Sequence, residues 1–66
     1  MQITLNGEPH ALSGELTVTA LLDHLQIDPR RVAVELNLTV LKRATFDETV
    51  VRDGDEVEIV NFVGGG

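Results

Sequence analysis

The amino-acid sequence predicts an α+β fold: a mixed sheet of about five short strands with one main helix on one face. Three observations support this prediction. Several short segments alternate apolar and polar residues, as half-buried strands do. Turn-forming sequences such as Asn6-Gly7 and Asp53-Gly54-Asp55 separate these segments. Only the segment 18–25 spaces its apolar residues three and four apart, which is the repeat of an amphipathic helix.

The N-terminal half is predicted to form a hairpin followed by the helix. Residues 2–5 alternate, Asn6-Gly7 suits the left-handed angles of a tight turn, and residues 8–12 return as the second strand. Thr17 is placed to cap the helix Val18–Leu25 with its hydroxyl group. Asp28-Pro29 follows the helix, and proline disfavours helical angles at the residue before it, so the helix should end there.

The C-terminal half is predicted to supply three more strands. Residues 32–36 alternate, residues 39–41 can return as a short strand, and residues 56–63 form the last and longest strand. Between them, 42–47 should be irregular or a single helical turn, and 49–51 should be extended. The resulting order, ββαβββ, is a β-grasp pattern. We therefore expect one β-grasp domain over residues 1–63 and a flexible glycine tail at 64–66.

The predicted core joins the apolar stripe of the helix to one face of the sheet, with Phe46 closing it beneath the irregular segment. Its predicted members are Ile3, Leu5, Val18, Leu21, Leu22, Leu25, Val32, Val34, Phe46, Val57 and Ile59.

Size and composition exclude several classes of function. A chain of 66 residues has a thin core with little room for a catalytic pocket, so we expect no catalytic residues and not an enzyme. The absence of cysteine removes thiolate nucleophiles and cysteine-ligated metals, and His10 and His24 have no further ligand at metal-binding spacing. We therefore expect no bound metal or cofactor.

Charge and hydropathy narrow the partners and the location. A net charge of −6 disfavours nucleic acid, and no apolar run approaches the length of a membrane span. The first ten residues contain no Lys or Arg, unlike a signal peptide. We expect a cytoplasmic protein with basic protein partners; the alternative is that the negative charge serves solubility alone.

The glycines at the end of the chain are not explained by folding. Gly64, Gly65 and Gly66 have no side chains to pack, and glycine loses the most entropy when it is ordered. Their physical use is access, because a segment without Cβ atoms can thread into a narrow cleft and present its terminal carboxylate. The alternative is a frayed tail with no function.

The last predicted strand changes character toward this tail. Glu58, Val60 and Phe62 share one face, which therefore passes from charged to apolar. We interpret Val60 and Phe62 as a docking patch; the alternative is that the domain covers them or that they are isolated surface residues.

These residues carry a family resemblance. The strand order with a C-terminal Gly65-Gly66 resembles ubiquitin-like proteins. More closely, the opening Met1-Gln2-Ile3 with Asn6-Gly7-Glu8, the stretch 28–37 (DPRRVAVELN) and the ending 53–66 (DGDEVEIVNFVGGG) resemble the ThiS family, the sulfur carriers of bacterial thiamine biosynthesis. The resemblance spans essentially the whole chain.

The resemblance implies that this chain is a protein cosubstrate. A ThiF-type activating enzyme would use ATP and magnesium to adenylate the Gly66 carboxylate, which gives a transient AMP adduct. A persulfide-bearing sulfur donor would then supply sulfur to give a C-terminal thioglycine, and the thiazole synthase ThiG would take up that sulfur. Gly64 and Gly65 would thread into the partner clefts, while Val60 and Phe62 would dock on the activating enzyme.

Three alternatives share parts of this description. A molybdopterin-type sulfur carrier and a ubiquitin-like modifier would use the same tail chemistry. A non-covalent β-grasp binding module would have an incidental glycine tail.

Overall fold

The computed structural model describes residues 1–62, and residues 63–66 lie outside this description. The strands are β1 (Gln2–Leu5), β2 (Glu8–Ala11), β3 (Leu16–Thr17), β4 (Val32–Leu36), β5 (Thr39–Val40), β6 (Val50–Val51) and β7 (Glu56–Asn61). The helix α1 spans Val18–His24, and short 3-10 turns occupy Pro29–Arg31 and Arg43–Thr45. Residues 1–62 contain no helix with the length and apolarity that a membrane crossing requires.

The main sheet is mixed, with the strand order β2-β1-β7-β4-β5. β1 and β7 run parallel, with Leu5 opposite Val57, and the other neighbours are antiparallel. Since parallel neighbours cannot be joined by a hairpin, the chain between β1 and β7 must cross over the sheet, and α1 lies in that crossover. The predicted α+β class is confirmed: a mixed sheet of five strands with one main helix in the described chain.

A second, two-stranded sheet was not predicted. Residues 49–51 were expected to be extended, but their pairing with Leu16–Thr17 was missed; Leu16 lies opposite Val51. A two-residue strand is too short to produce a recognisable alternation. This small sheet leads directly into the helix, so it fixes where α1 begins.

The helix start combines a predicted cap with tertiary contacts. The Thr17 hydroxyl accepts a hydrogen bond from the Ala20 N–H at 3.1 Å, which confirms the predicted N-cap. The N–H groups of Val18 and Thr19 donate to the carbonyl oxygens of Thr49 and Phe46 at 2.9 and 3.1 Å. Donors that a helix leaves unpaired at its first turn are thus satisfied by the segment that follows β5.

The helix ends earlier than predicted. Its cap residue is Leu25, and Gln26 adopts a left-handed backbone with φ 60°. The Ile27 N–H then donates to the Leu22 carbonyl at 2.8 Å, closing the last turn. Asp28-Pro29 therefore does not end the helix; it begins a separate 3-10 turn, where the Asp28 carboxylate accepts from the Arg30 N–H at 2.9 Å.

One apolar core lies between α1 and the inner face of the main sheet. The predicted members Phe46 and Val57 are buried, at 3% and 1% exposure, whereas Leu5, Leu25 and Ile59 are only partly buried at its edge. Leu12 and Val51 are buried although they were not predicted to be. The buried residues are Ile3, Leu12, Val18, Leu21, Leu22, Val32, Val34, Phe46, Val51 and Val57.

Candidate functional site

The C-terminal strand pairs with β4 as far as its last residue, whereas only its first two residues, Glu56 and Val57, also pair with β1. β7 pairs with β1 on one side and with β4 on the other, and Asn61 lies opposite Val32. One residue further on, the Phe62 N–H donates to the Arg31 carbonyl at 2.9 Å. The segment that follows Phe62 in sequence therefore starts from an anchored point on the domain. The predicted tail residues Gly64, Gly65 and Gly66 lie outside the described residues, as does the predicted domain boundary after residue 63.

An exposed apolar patch lies on the outer face of the sheet, next to this anchored point. Val60 and Phe62 are 55% and 53% exposed. Ala33 lies opposite Val60 in the antiparallel register, so β4 extends the patch sideways. Val40 of β5 is 67% exposed and shares this face, because it pairs with Glu35, two residues along β4 from Ala33. We call Ala33, Val40, Val60 and Phe62 the outer apolar patch.

Sequence reasoning missed Val40. It lies in a two-residue strand, and its exposure follows from the position of β5 at the sheet edge. The preceding turn holds a second missed apolar residue, Leu38, which is 80% exposed and left-handed at φ 71°. Asn37 fixes that turn, because its side chain donates to Asp55 at 3.1 Å and accepts from the Glu56 N–H at 2.9 Å.

Acidic side chains occupy the part of the outer face that is remote from the tail. Glu35 and Glu58 lie directly opposite each other on β4 and β7, and Glu56 lies two residues before Glu58 on the same face. Like charges directly opposite across a strand pair destabilise a sheet. Folding alone therefore does not account for this pair.

Basic residues cluster at the other end, where β7 finishes. Arg30 and Arg31 form the end of the 3-10 turn beside Phe62, and Arg43 donates from Nη2 to the Arg30 carbonyl at 3.3 Å. Asp28 pairs with Arg30 at 3.0 Å and with Arg31 at 3.8 Å. Hydrogen bonds from the Arg30 side chain and then from its backbone N–H lower the pKa of Asp28 from 3.8 to about 2.

The two histidines, which lie on different elements, come together in the fold. Their ring centroids are 6.2 Å apart in an edge-to-face arrangement, and His10 is half-buried with no hydrogen-bond partner for Nε2 among residues 1–62. The same part of the chain holds no group of three or more His, Cys, Asp or Glu side chains arranged to bind a metal.

Comparisons with known proteins agree with the resemblance seen in the sequence. A profile of the ThiS family matches residues 3–66. The chain is 36% identical over 64 residues to the sulfur carrier protein ThiS of Thermus thermophilus, covering 97% of this chain and 98% of that protein. It is also 46% identical over its whole length to a thiazole synthase of Paramagnetospirillum magneticum, of which it spans only 20%.

A solved structure supports the fold at the same level of similarity. The crystal structure of the thiamine biosynthesis protein ThiS from Geobacter metallireducens superposes with a TM-score of 0.88, at 48% identity and with 100% of both chains covered. The β-grasp prediction is confirmed by this neighbour and by the mixed sheet with its single described helix. Because both the sequence and the fold match over nearly the whole length, the chain belongs to the ThiS family of sulfur carrier proteins of thiamine biosynthesis.

Proposed function

We propose that this protein carries sulfur as a thiocarboxylate on Gly66 and donates it for formation of the thiazole ring of thiamine. The observation that carries the proposal is the family match, which extends through Gly66 and so includes the tail. The chain acts here as a cosubstrate that other enzymes modify. Because its proposed partners use ATP and metabolic sulfur, a cytoplasmic location is part of the proposal.

Activation of the carboxylate comes first. A free terminal carboxyl group has a pKa of about 3.5, so near neutral pH it is an anion and a poor electrophile. In the proposal, a ThiF-type enzyme uses ATP and magnesium to join the Gly66 carboxylate to AMP, releasing pyrophosphate. The acyl adenylate has a good leaving group, and its carbonyl carbon becomes open to attack.

Sulfur transfer follows on the same carbon. The terminal sulfur of a persulfide donor attacks the acyl adenylate and expels AMP, leaving an acyl disulfide. A second thiol then attacks the donor sulfur and cleaves the sulfur–sulfur bond, so that one sulfur stays on Gly66 as the thiocarboxylate. The donor leaves as a disulfide with that thiol, which balances the electrons.

The outer apolar patch is the proposed docking surface for the activating enzyme. Residues 63–66 can span at most about 14 Å when fully extended. A partner that binds Phe62 must therefore have its nucleotide site within that distance of Phe62. Gly64 and Gly65 carry no Cβ atoms and suit a narrow passage. The exposure of Val60 and Phe62 beside the tail supports this role.

The proposed sulfur acceptor is a ThiG-type thiazole synthase. The whole chain is similar to about a fifth of the Paramagnetospirillum magneticum thiazole synthase, so a carrier-like segment and a synthase share one polypeptide in that relative. A physical link of this kind supports the synthase as the protein that receives the sulfur.

Mass spectrometry of the intact chain tests the proposal. Incubation with a ThiF-type enzyme, magnesium ATP and a persulfide donor should raise the mass by one oxygen-to-sulfur exchange. Deleting Gly66 should abolish the shift while every core residue stays in place, the last of them being Val57.

Gly14→Ala is the matched control. Gly14 is an exposed glycine remote from the tail, and a Cβ at this position meets no atom within 4 Å. This variant should accept sulfur normally. An unchanged mass in the wild-type chain under conditions where the enzyme adenylates another ThiS protein would overturn the proposal.

A further inference from the structure

Charge is distributed unevenly in this protein. Four of its five basic residues lie in the segments 30–31 and 42–43, together with Asp28 as their nearby acid. The remainder of the chain holds one basic and ten acidic residues. A protein with a net charge of −6 thus has a locally cationic surface, which we call the basic rim: Arg30, Arg31, Lys42 and Arg43.

The fold places the basic rim against the outer apolar patch. Arg31 accepts the backbone hydrogen bond of Phe62, and Arg43 bonds to the Arg30 carbonyl. The register of β4 with β5 continues to Leu41, whose N–H donates to the Val34 carbonyl at 2.9 Å. Lys42 follows Leu41 directly and precedes Arg43, so it lies between the end of this strand pair and the Arg43 contact.

Ion pairing within the domain does not account for these cations. Arg30 and Arg31 share the single carboxylate of Asp28, and their side chains remain 80% and 81% exposed. Lys42 and Arg43 form no salt bridge with any residue in 1–62. Clustered cations repel one another, so their concentration here favours a role toward an external anionic surface.

The opposite end of the same face has the opposite charge. Glu35, Glu56 and Glu58 lie there, and the directly opposed pair Glu35 and Glu58 costs stability. The outer face is therefore polarised along β7, from acidic at its start to basic at its end. A polarised face selects one orientation as two proteins approach, because the reversed orientation brings like charges together.

We propose that the basic rim docks on an acidic protein surface that borders the tail-accepting cleft of the activating enzyme. This inference rests on the proposed function and adds the chemistry of the partner. A protein surface fits better than a nucleic acid, because the rest of this chain is strongly acidic and would repel a phosphate backbone. A protein partner would also bury the outer apolar patch, which a nucleic acid backbone would not need to do.

The test compares charge reversals at the two ends of β7. Lys42→Glu is set against Arg52→Glu, which changes the net charge equally but lies near the start of β7, where Arg52 pairs with Glu15 at 3.8 Å. The six residues of β7 separate the two ends by about 20 Å. Pyrophosphate exchange by a ThiF-type enzyme that adenylates the wild-type chain is measured with each variant, at low and high ionic strength.

Lys42→Glu should lower kcat/KM for the carrier about tenfold or more at low salt, and the loss should shrink at high salt. Arg52→Glu should change kcat/KM for the carrier less than about twofold. The conservative variant Lys42→Arg, which keeps the positive charge, should retain the wild-type value. Equal effects of Lys42→Glu and Arg52→Glu, or a change confined to the KM for ATP, would overturn the inference. If the wild-type chain is not adenylated at all, the proposed function fails instead, so the two failures are distinguishable.

Discussion

The two faces of β7 differ although their residues alternate along one strand. Val57 is 1% exposed and faces α1, while Val60, three positions later, is 55% exposed on the outer face. Packing in the core accounts for an apolar residue at Val57, but it does not account for one at Val60. Stability and proposed partner binding therefore lie on separate faces of the same strand, and substitutions should affect one without the other.

The largest expected effect is the loss of stability when a core side chain on the inner side of the sheet is truncated. Leu21→Ala removes a side chain of α1 that is 0% exposed, so the free energy of unfolding should fall by about 3 kcal/mol, measured by urea denaturation. Val40→Ala is the control from the outer face, where exposure is 67%, and it should change that free energy by less than about 0.5 kcal/mol. Equal losses in the two variants would contradict the separation of the faces.

The next largest effect concerns the outer apolar patch and is measured as the rate of adenylation. Phe62→Asp places a charge in the outer apolar patch, and we expect kcat/KM for adenylation to fall about 30-fold, equivalent to about 2 kcal/mol. The thermal midpoint should stay unchanged, because the Phe62 side chain is 53% exposed. Leu38→Asp, at an exposed apolar position remote from the tail, should leave adenylation at the wild-type rate. Normal kinetics in Phe62→Asp would remove the patch from the proposed function.

A smaller effect sharpens the comparison within the outer face. Glu58→Gln removes one member of the pair that opposes Glu35, so the free energy of unfolding should rise by about 0.5 kcal/mol at low salt. The gain should diminish as salt screens the repulsion. Glu48→Gln, outside both sheets, is the control and should show no such gain. A salt-independent change in Glu58→Gln would exclude charge repulsion as its cause.

The smallest effect depends on pH and concerns the basic rim. The pKa of Asp28 is lowered from 3.8 to about 2. Its carboxylate therefore contributes its full stabilisation at pH values above 3.8 and loses it as the pH falls through 2. The difference in unfolding free energy between wild type and Asp28→Asn should therefore shrink between pH 4 and pH 2. The effect is small because Arg30 is 80% exposed. A difference that is constant with pH would contradict the ion pair.

Local sequence was sufficient for the elements with strong signals. The turn at Asn6-Gly7 is left-handed at both residues, as predicted, because asparagine and glycine tolerate that region. The Thr17 cap and the apolar stripe of α1 were also predicted, since each depends on neighbours within a few residues. The docking role of Val60 and Phe62 and the roles of Gly64 to Gly66 stay predictions from sequence and family.

Elements that depend on distant partners could not be predicted. The pairing of β3 with β6 joins Leu16 to Val51, and no local pattern records that contact. The meeting of His10 and His24 likewise requires β2 and the end of α1 to come together in space. Val40 was missed for the same reason, because its place on the outer face follows from its pairing with Glu35 of β4.

By itself the sequence determined the α+β class, the five strands of the main sheet, the cap of the helix and the family, because periodicity, turn chemistry and motifs are local properties. Only the tertiary structure decided how charge is arranged. The basic residues of 30–31 and 42–43 are separated along the chain and become neighbours only when β4 pairs with β5 and with β7. Electrostatic fields depend on distance in space, so an acidic composition could not reveal a basic rim beside the tail.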